Sequence, residues 1–300
     1  MRRLLYHITH ETVYEYVGGV SISHHTLKLL PRENEKQRLL ASELVVDPLP
    51  GVVSRHVDYF GNTTHFITVE GAHTRLLIRS QAEVAIAPAF IPDPGETAAW
   101  EHVRTLCRGD HSGRALEAHE FTYPSPLAPV RQEFADYAAA SFPAQRPLLE
   151  GVLDLTRRIG EDFAFDPEAT HVATPVHEVF ARRRGVCQDF AQFQIACLRS
   201  LGLPARYVSG YLETDPPPGQ PKLRGVDASH AWVAFYCPGI GWIEVDPTNN
   251  CLPSMRHITV AWGRDYGDVS PLKGVLMGGQ GQTLEVAVDV VAQGMLETEN

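Results

Sequence analysis

The sequence predicts an α+β fold, on three observations. Residues 4–86 break into short strand-like runs separated by glycine and proline turn signals. Residues 100–201 carry helical periodicity instead, and strand-like runs return from residue 207. Strands grouped apart from helices point to α+β rather than to alternating βαβ units.

The first region holds runs at 4–16, 21–30, 41–47, 52–59, 64–70 and 74–86, broken at Gly18-Gly19, Pro31, Pro48, Pro50-Gly51, Gly61-Asn62 and Gly71. Such spacing predicts an N-terminal antiparallel β-sandwich domain over residues 1–90. Within it, Asp58-Tyr59-Phe60-Gly61-Asn62 reads as a hairpin turn, the alternative being a contact to the rest of the chain. Pro88, Pro92 and Pro94 lead out of this domain into a linker with helical material, 91–130, with a helix at 100–107. The remainder, 131–300, forms a second domain with a C-terminal β segment. Helices are expected there at 129–141 and 148–162. Another runs to residue 184, with Thr174 as N-cap and Pro175 in its first position.

Cys187 opens the next helix. Phe190, Phe193, Cys197 and Leu201 share one face of it, and Gly202-Leu203-Pro204 ends it. The unpaired N–H groups of a first helical turn favour a thiolate, so a cysteine there is a candidate nucleophile; the plain alternative is a packed thiol. A strand over 207–212 follows. The proline-rich 215–221 is either a solvated loop or a rim over a site. His230 stands near the start of the next strand. Residues 237–241 form a turn, and 242–246 a partner strand ended by Pro247. Pairing about that turn sets residues around 246 opposite 230–232, so Asp246 is the natural orienter of His230. In this Cys187–His230–Asp246 arrangement the imidazole takes the thiol proton and the carboxylate holds the ring.

Further strands are expected at 258–262 and 283–291, joined by a glycine-rich connection. Gly278-Gly279-Gln280-Gly281 lacks the Lys-Ser/Thr of a phosphate loop and reads as a hairpin. Tyr207 and Trp232 are candidate cleft-lining residues, with core packing the alternative for each. The backbone N–H of Cys187 is the candidate oxyanion donor. Residues 181–186 hold no glutamine that could serve as a second, and Gln188 is not assigned that role.

The chain of 300 residues has 44% hydrophobic and 21% charged residues and a formal charge of −10, so it is globular and lacks the basic surface of a nucleic-acid binder. Arg182-Arg183-Arg184 reads as a solvated helix end. No run of about 18 apolar residues occurs, and the first residues lack the apolar stretch of a secretory signal. Five cysteines without a CxxC pair fit a reduced compartment. The expectation is a cytoplasmic protein that neither enters a membrane nor binds nucleic acid, without cofactor or metal; its 14 histidines are scattered.

The segments Arg183-Arg184-Gly185-Val186-Cys187-Gln188-Asp189-Phe190, Leu201-Gly202-Leu203-Pro204-Ala205-Arg206-Tyr207, Asp227-Ala228-Ser229-His230-Ala231-Trp232 and Gly241-Trp242-Ile243-Glu244-Val245-Asp246-Pro247 resemble the core of the bacterial transglutaminase-like superfamily. Tyr6-His7-Ile8-Thr9-His10, Leu29-Leu30-Pro31-Arg32 and Asp58-Tyr59-Phe60-Gly61-Asn62 resemble the β-rich N-terminal domain that accompanies this core. The resemblance implies a papain-like core, its nucleophile helix packed on an antiparallel sheet. It also implies Cys187 as nucleophile, His230 as general base and acid, and Asp246 as orienter. The activity expected is thiol-dependent hydrolysis of a peptide or protein substrate, a cysteine peptidase or amidase. Transglutaminase chemistry, with an amine as acceptor, is one alternative; a non-catalytic binding or scaffold protein is the other. Hydrolysis is favoured because water needs no second-substrate site.

Overall fold

The computed structural model describes residues 2–109, 113–215, 225 and 227–297. The N-terminal region consists of β1 (Arg2–Leu27), β2 (Gln37–Asp47), β3 (Val52–Val57) and β4 (Thr63–Ile86). The runs expected as separate strands at 4–16 and 21–30 are one long strand, as are 64–70 and 74–86. Both long strands change register between Glu15 and Ile22 of β1. Gly71 sits at that level of β4 with φ 92°, a conformation that costs glycine little. On one side of the bend β2 pairs with the C-terminal half of β4, and on the other β3 pairs with its N-terminal half. Tyr14, Val46, Leu76 and Ile78 from the first half pack in one cluster with Leu27, Ile67 and Val69 from the second. A single antiparallel sheet thus folds over its own core.

Helices follow: α1 (Trp100–Gly109), α2 (Gly113–Glu120), α3 (Gln132–Ala139) and α4 (Leu148–Asp162). The two-residue strands β5 (Ala164–Phe165) and β6 (Arg184–Gly185) pair in parallel, flanking α5 (Val176–Arg182). Thr174 does not cap α5. Pro175 is its N-cap, and the Thr174 hydroxyl accepts instead from the backbone N–H of His171 at 3.0 Å. Arg183 ends α5 with φ 55° and lies over the rings of Tyr137, Phe163 and Phe180, so the basic run is only partly a solvated cap.

Helix α6 (Cys187–Ser200) is central. Phe190, Ala191, Phe193, Ile195, Ala196, Cys197 and Leu198 are all buried along it. It packs against an antiparallel sheet of β7 (Ala205–Leu212), β8 (Ala228–Cys237), β9 (Gly241–Val245) and β10 (His257–Gly263), in the order β10-β7-β8-β9. The short α7 (Tyr266–Val269) leads to β11 (Leu272–Gly278) and β12 (Gly281–Glu297), which return to the first sheet and pair with β1. The whole is an α+β protein, a β-rich N-terminal domain joined to a mixed core. The proline-rich 216–221 lies outside the described residues.

The edge strand β10 would leave backbone groups unpaired. Two fully buried amides from the N-terminal region close it. Gln37 donates to the Thr259 carbonyl at 2.7 Å and accepts from its N–H at 2.9 Å. Asn62 does the same with Trp262, at 2.8 and 2.9 Å. The turn at 58–62 is therefore both a hairpin and a contact to the core.

Candidate functional site

Cys187 is the first residue of α6 and is half-buried. The helix start is held by Asp189, whose Oδ2 accepts from the Val186 N–H at 2.9 Å and from the Thr170 hydroxyl at 2.6 Å. A third-position acid reaching back in this way satisfies an orphan donor and suits the helix dipole. Burial raises the Asp189 pKa, and those two hydrogen bonds oppose the rise.

His230 lies in β8, opposite Gly210 of β7, and Val233 pairs with Val245 of β9. The hairpin register is the expected one, placing Asp246 diagonally across from His230. A bridge between Asp246 and Cys251 folds the intervening turn back on itself, with N–H to carbonyl distances of 2.8 and 3.2 Å. That turn carries Asn249 to the same place.

The carboxylate of Asp246 is completely buried and saturated with donors. Its Oδ2 accepts from His230 Nε2 at 2.7 Å, Asn249 Nδ2 at 2.7 Å and His257 Nε2 at 3.2 Å. Its Oδ1 accepts from the N–H groups of Thr248 and Asn249 at 2.9 and 3.2 Å. Burial works against the charge, but these hydrogen bonds win and hold the carboxyl well below its usual range. His257 takes the Ser254 N–H at Nδ1, 3.3 Å away, which fixes its Nε2–H tautomer. Gly210 makes room for the cluster. A Cβ there would lie 2.1 Å from the Ile258 carbonyl oxygen and 2.5 Å from Cη2 of Trp232.

For His230, burial disfavours the charge. The hydrogen bond to Asp246, one involving Cys187 and the charges of both partners together outweigh it, and the pKa rises to about 9. Because Nε2 is committed to Asp246, the other edge of the ring is the one that meets Cys187. Both residues line a cavity of about 460 Å³. Its core wall includes Tyr207, Ser209 and Tyr266, and its opposite wall comes from the N-terminal sheet, with His10, Thr12 and Tyr14 of β1 and Val286 and Val288 of β12. Tyr207 thus lines the cavity while remaining buried. Trp232 does not line it; this indole is fully buried behind His230, with ring centres 6.0 Å apart.

The compact unit that closes here is His230–Asp246–His257, three side chains whose ligand atoms all lie within 4.8 Å, and no cysteine belongs to it among the described residues. This corrects the expected Cys187–His230–Asp246 triad. Asp246 is shared between two imidazoles rather than dedicated to one, because the start of β10 brings His257 to the same oxygen. The activities argued from that triad, cysteine peptidase, amidase or thiol acyltransferase, lose that support and are withdrawn with it. The spacing also suits a metal ion, yet the ring nitrogens of both histidines aim N–H groups at the carboxylate itself, the pattern of a hydrogen-bonded cluster.

Residues 6–85 match the family model for the bacterial transglutaminase-like N-terminal region, and residues 136–247 match that for the transglutaminase-like superfamily. The chain belongs to the bacterial transglutaminase-like superfamily. Uncharacterized protein Rv2569c of Mycobacterium tuberculosis is 40% identical over 292 residues, covering 95% of this chain and 92% of that one. A protein-glutamine gamma-glutamyltransferase of Pseudomonas aeruginosa is 37% identical over 97 residues, only 31% of this chain and 14% of that one. The fold is shared with a candidate cysteine protease of Cytophaga hutchinsonii, at a TM-score of 0.78 and 20% identity over 99% of this chain and 94% of that one. The periplasmic domain of TgpA from Pseudomonas aeruginosa is a more distant likeness, at a TM-score of 0.31, 17% identity, and 81% and 88% coverage.

The cytoplasmic expectation is withdrawn as well, because cysteine number and spacing do not fix a compartment. No helix among the described residues is long and apolar enough to cross a membrane.

Proposed function

We propose that the cavity between α6 and the N-terminal sheet is the functional site, and that it binds a peptide or protein segment through acid–base chemistry centred on His230. The observation that carries this reading is geometric. One edge of the His230 ring is anchored 2.7 Å from a buried carboxylate, and the residue borders an open cavity. A ring held in its charged form can donate a proton or a strong hydrogen bond to a ligand carbonyl. Cys187 and Asp246 are its working neighbours, one on the ligand side and one behind. Tyr207 shapes the wall, and Trp232 supports the ring from the core. Strand β1 of the N-terminal domain and β12, which pairs with it, form the opposite wall, so that sheet shapes access. Nucleic acid is not the ligand on this reading, given the formal charge of −10.

The test uses the full chain with ¹⁵N-labelled histidine, titrated with a pool of N-acetylated, amidated hexapeptides. Saturable shifts are expected at His230 and His10, which border the cavity, and none at His56, which is exposed on β3. Unmoved His230 resonances, or equal movement at His56, would overturn the proposal.

A further inference from the structure

Arg206 and Tyr207 are successive residues of β7, so their side chains leave opposite faces of the sheet. Tyr207 faces the cavity with Cys187; Arg206 lines a separate one of about 590 Å³ that shares no lining residue with it. The Arg206 guanidinium is clamped between two indoles, 4.1 Å from the centre of Trp242 and 3.8 Å from that of Trp262. The side chain is 7% exposed, and its Nε is buried with no hydrogen-bond partner. Burial lowers its pKa to about 9, with the Glu244 charge opposing that fall.

The neighbouring carboxylate of Glu244 acts on Arg206 through its charge but does not satisfy the Nε donor. Glu244 pairs with Lys36 at 2.5 Å. A buried guanidinium donor without an acceptor is costly, and stacking on two aromatic faces leaves only the planar edge of the group to be satisfied. A planar carboxylate matches that fork bidentately. Trp242, Phe90, Ile91 and Ile240 supply apolar lining, and Phe90 is 80% exposed. Glu33, Glu35 and Glu117 stand exposed around the same cavity, so a multiply charged anion such as phosphate meets repulsion that a single carboxylate tolerates.

We propose that this second cavity is a binding site for a monocarboxylate carried on an apolar or aromatic body, with Arg206 as its anion receptor. The carboxylate could come from a free small acid or from the C-terminal residue of a peptide, and the ligand probes separate these sources.

The test follows the Arg206 Nε–H resonance and tryptophan fluorescence of the full chain. The probes are N-acetylphenylalanine, its carboxamide, a pentapeptide ending in phenylalanine with a free carboxyl group, and inorganic phosphate. Saturable binding of N-acetylphenylalanine is expected, with a downfield shift of the Nε–H resonance. The carboxamide should bind at least about tenfold more weakly, and phosphate should produce no saturable response. Tighter binding of the pentapeptide than of N-acetylphenylalanine would support a chain end as the source, and weaker binding a small acid. Arg206→Gln should abolish the response; if that variant does not fold, the wild-type resonance alone decides. Equal binding of acid and carboxamide, no saturation by the acid, or phosphate binding as tightly as the acid would overturn the proposal.

Discussion

Replacing Asp246 with asparagine removes one negative charge and leaves the shape of the side chain nearly unchanged. In the native protein the His230 pKa is raised from 6.5 to about 9, against the effect of burial, and the hydrogen bond to Asp246 is the foremost cause of the rise. That gap corresponds to about 3 kcal/mol of preference for the charged ring. In Asp246→Asn the burial remains and the charge does not, so the titration midpoint of His230 should fall from about 9 toward 6.5. Histidine ring NMR followed against pH reads this directly, resonance by resonance. A midpoint that stays near 9 in the variant would refute the reasoning, because it would place the source of the shift outside the Asp246 cluster.

The same cluster makes stability depend on pH. The His230 pKa is raised on folding, so its contribution is fully present below about pH 6.5 and lost as pH rises through about 9; the Asp246 pKa is depressed, so its contribution is present above the ordinary 3.8 and lost as pH falls below it. Urea midpoints should therefore fall between pH 6.5 and 9.5 in the wild type, and Asp246→Asn should flatten that slope. Gly210→Ala drives a methyl group into the Ile258 carbonyl and Trp232, and should cost at least about 1–3 kcal/mol in urea unfolding. Gln37→Ala and Asn62→Ala each strip partners from the edge of β10, and each should cost about 1–3 kcal/mol by the same measurement. An unchanged midpoint in any of these variants contradicts its account.

Local pattern carried much of this arrangement. Helix α4 occupies the span its periodicity indicates, and the turn around Pro238 and Gly239 set the hairpin register that brings Asp246 to His230. Cys187 stands at a helix start because glycine, an apolar face and a glycine exit bracket that helix. His257 was not legible. It opens a strand separated from β9 by two others in the sheet, and only the folded-back turn at 246–251 brings the two together. Asn249 was hidden for a similar reason, since its reach depends on how that turn closes. Gln37 and Asn62 act on backbone groups more than 190 residues away, and no periodicity encodes such a contact. The return of β11 and β12 to β1 is equally long-range. In each case the missing information was tertiary, while helix and strand identity was local.

The central claim is that Cys187 and His230 face a cavity that receives a peptide segment. Iodoacetamide alkylation, read cysteine by cysteine by mass spectrometry with and without the hexapeptide pool, tests it most directly. Cys187 and Cys251 are half-buried, whereas Cys107, Cys197 and Cys237 are buried. The account predicts that Cys187 labels first, and that the pool slows Cys187 severalfold while leaving Cys251 unchanged. Labelling of Cys187 no faster than that of Cys197, or at the same rate with and without the pool, would contradict it.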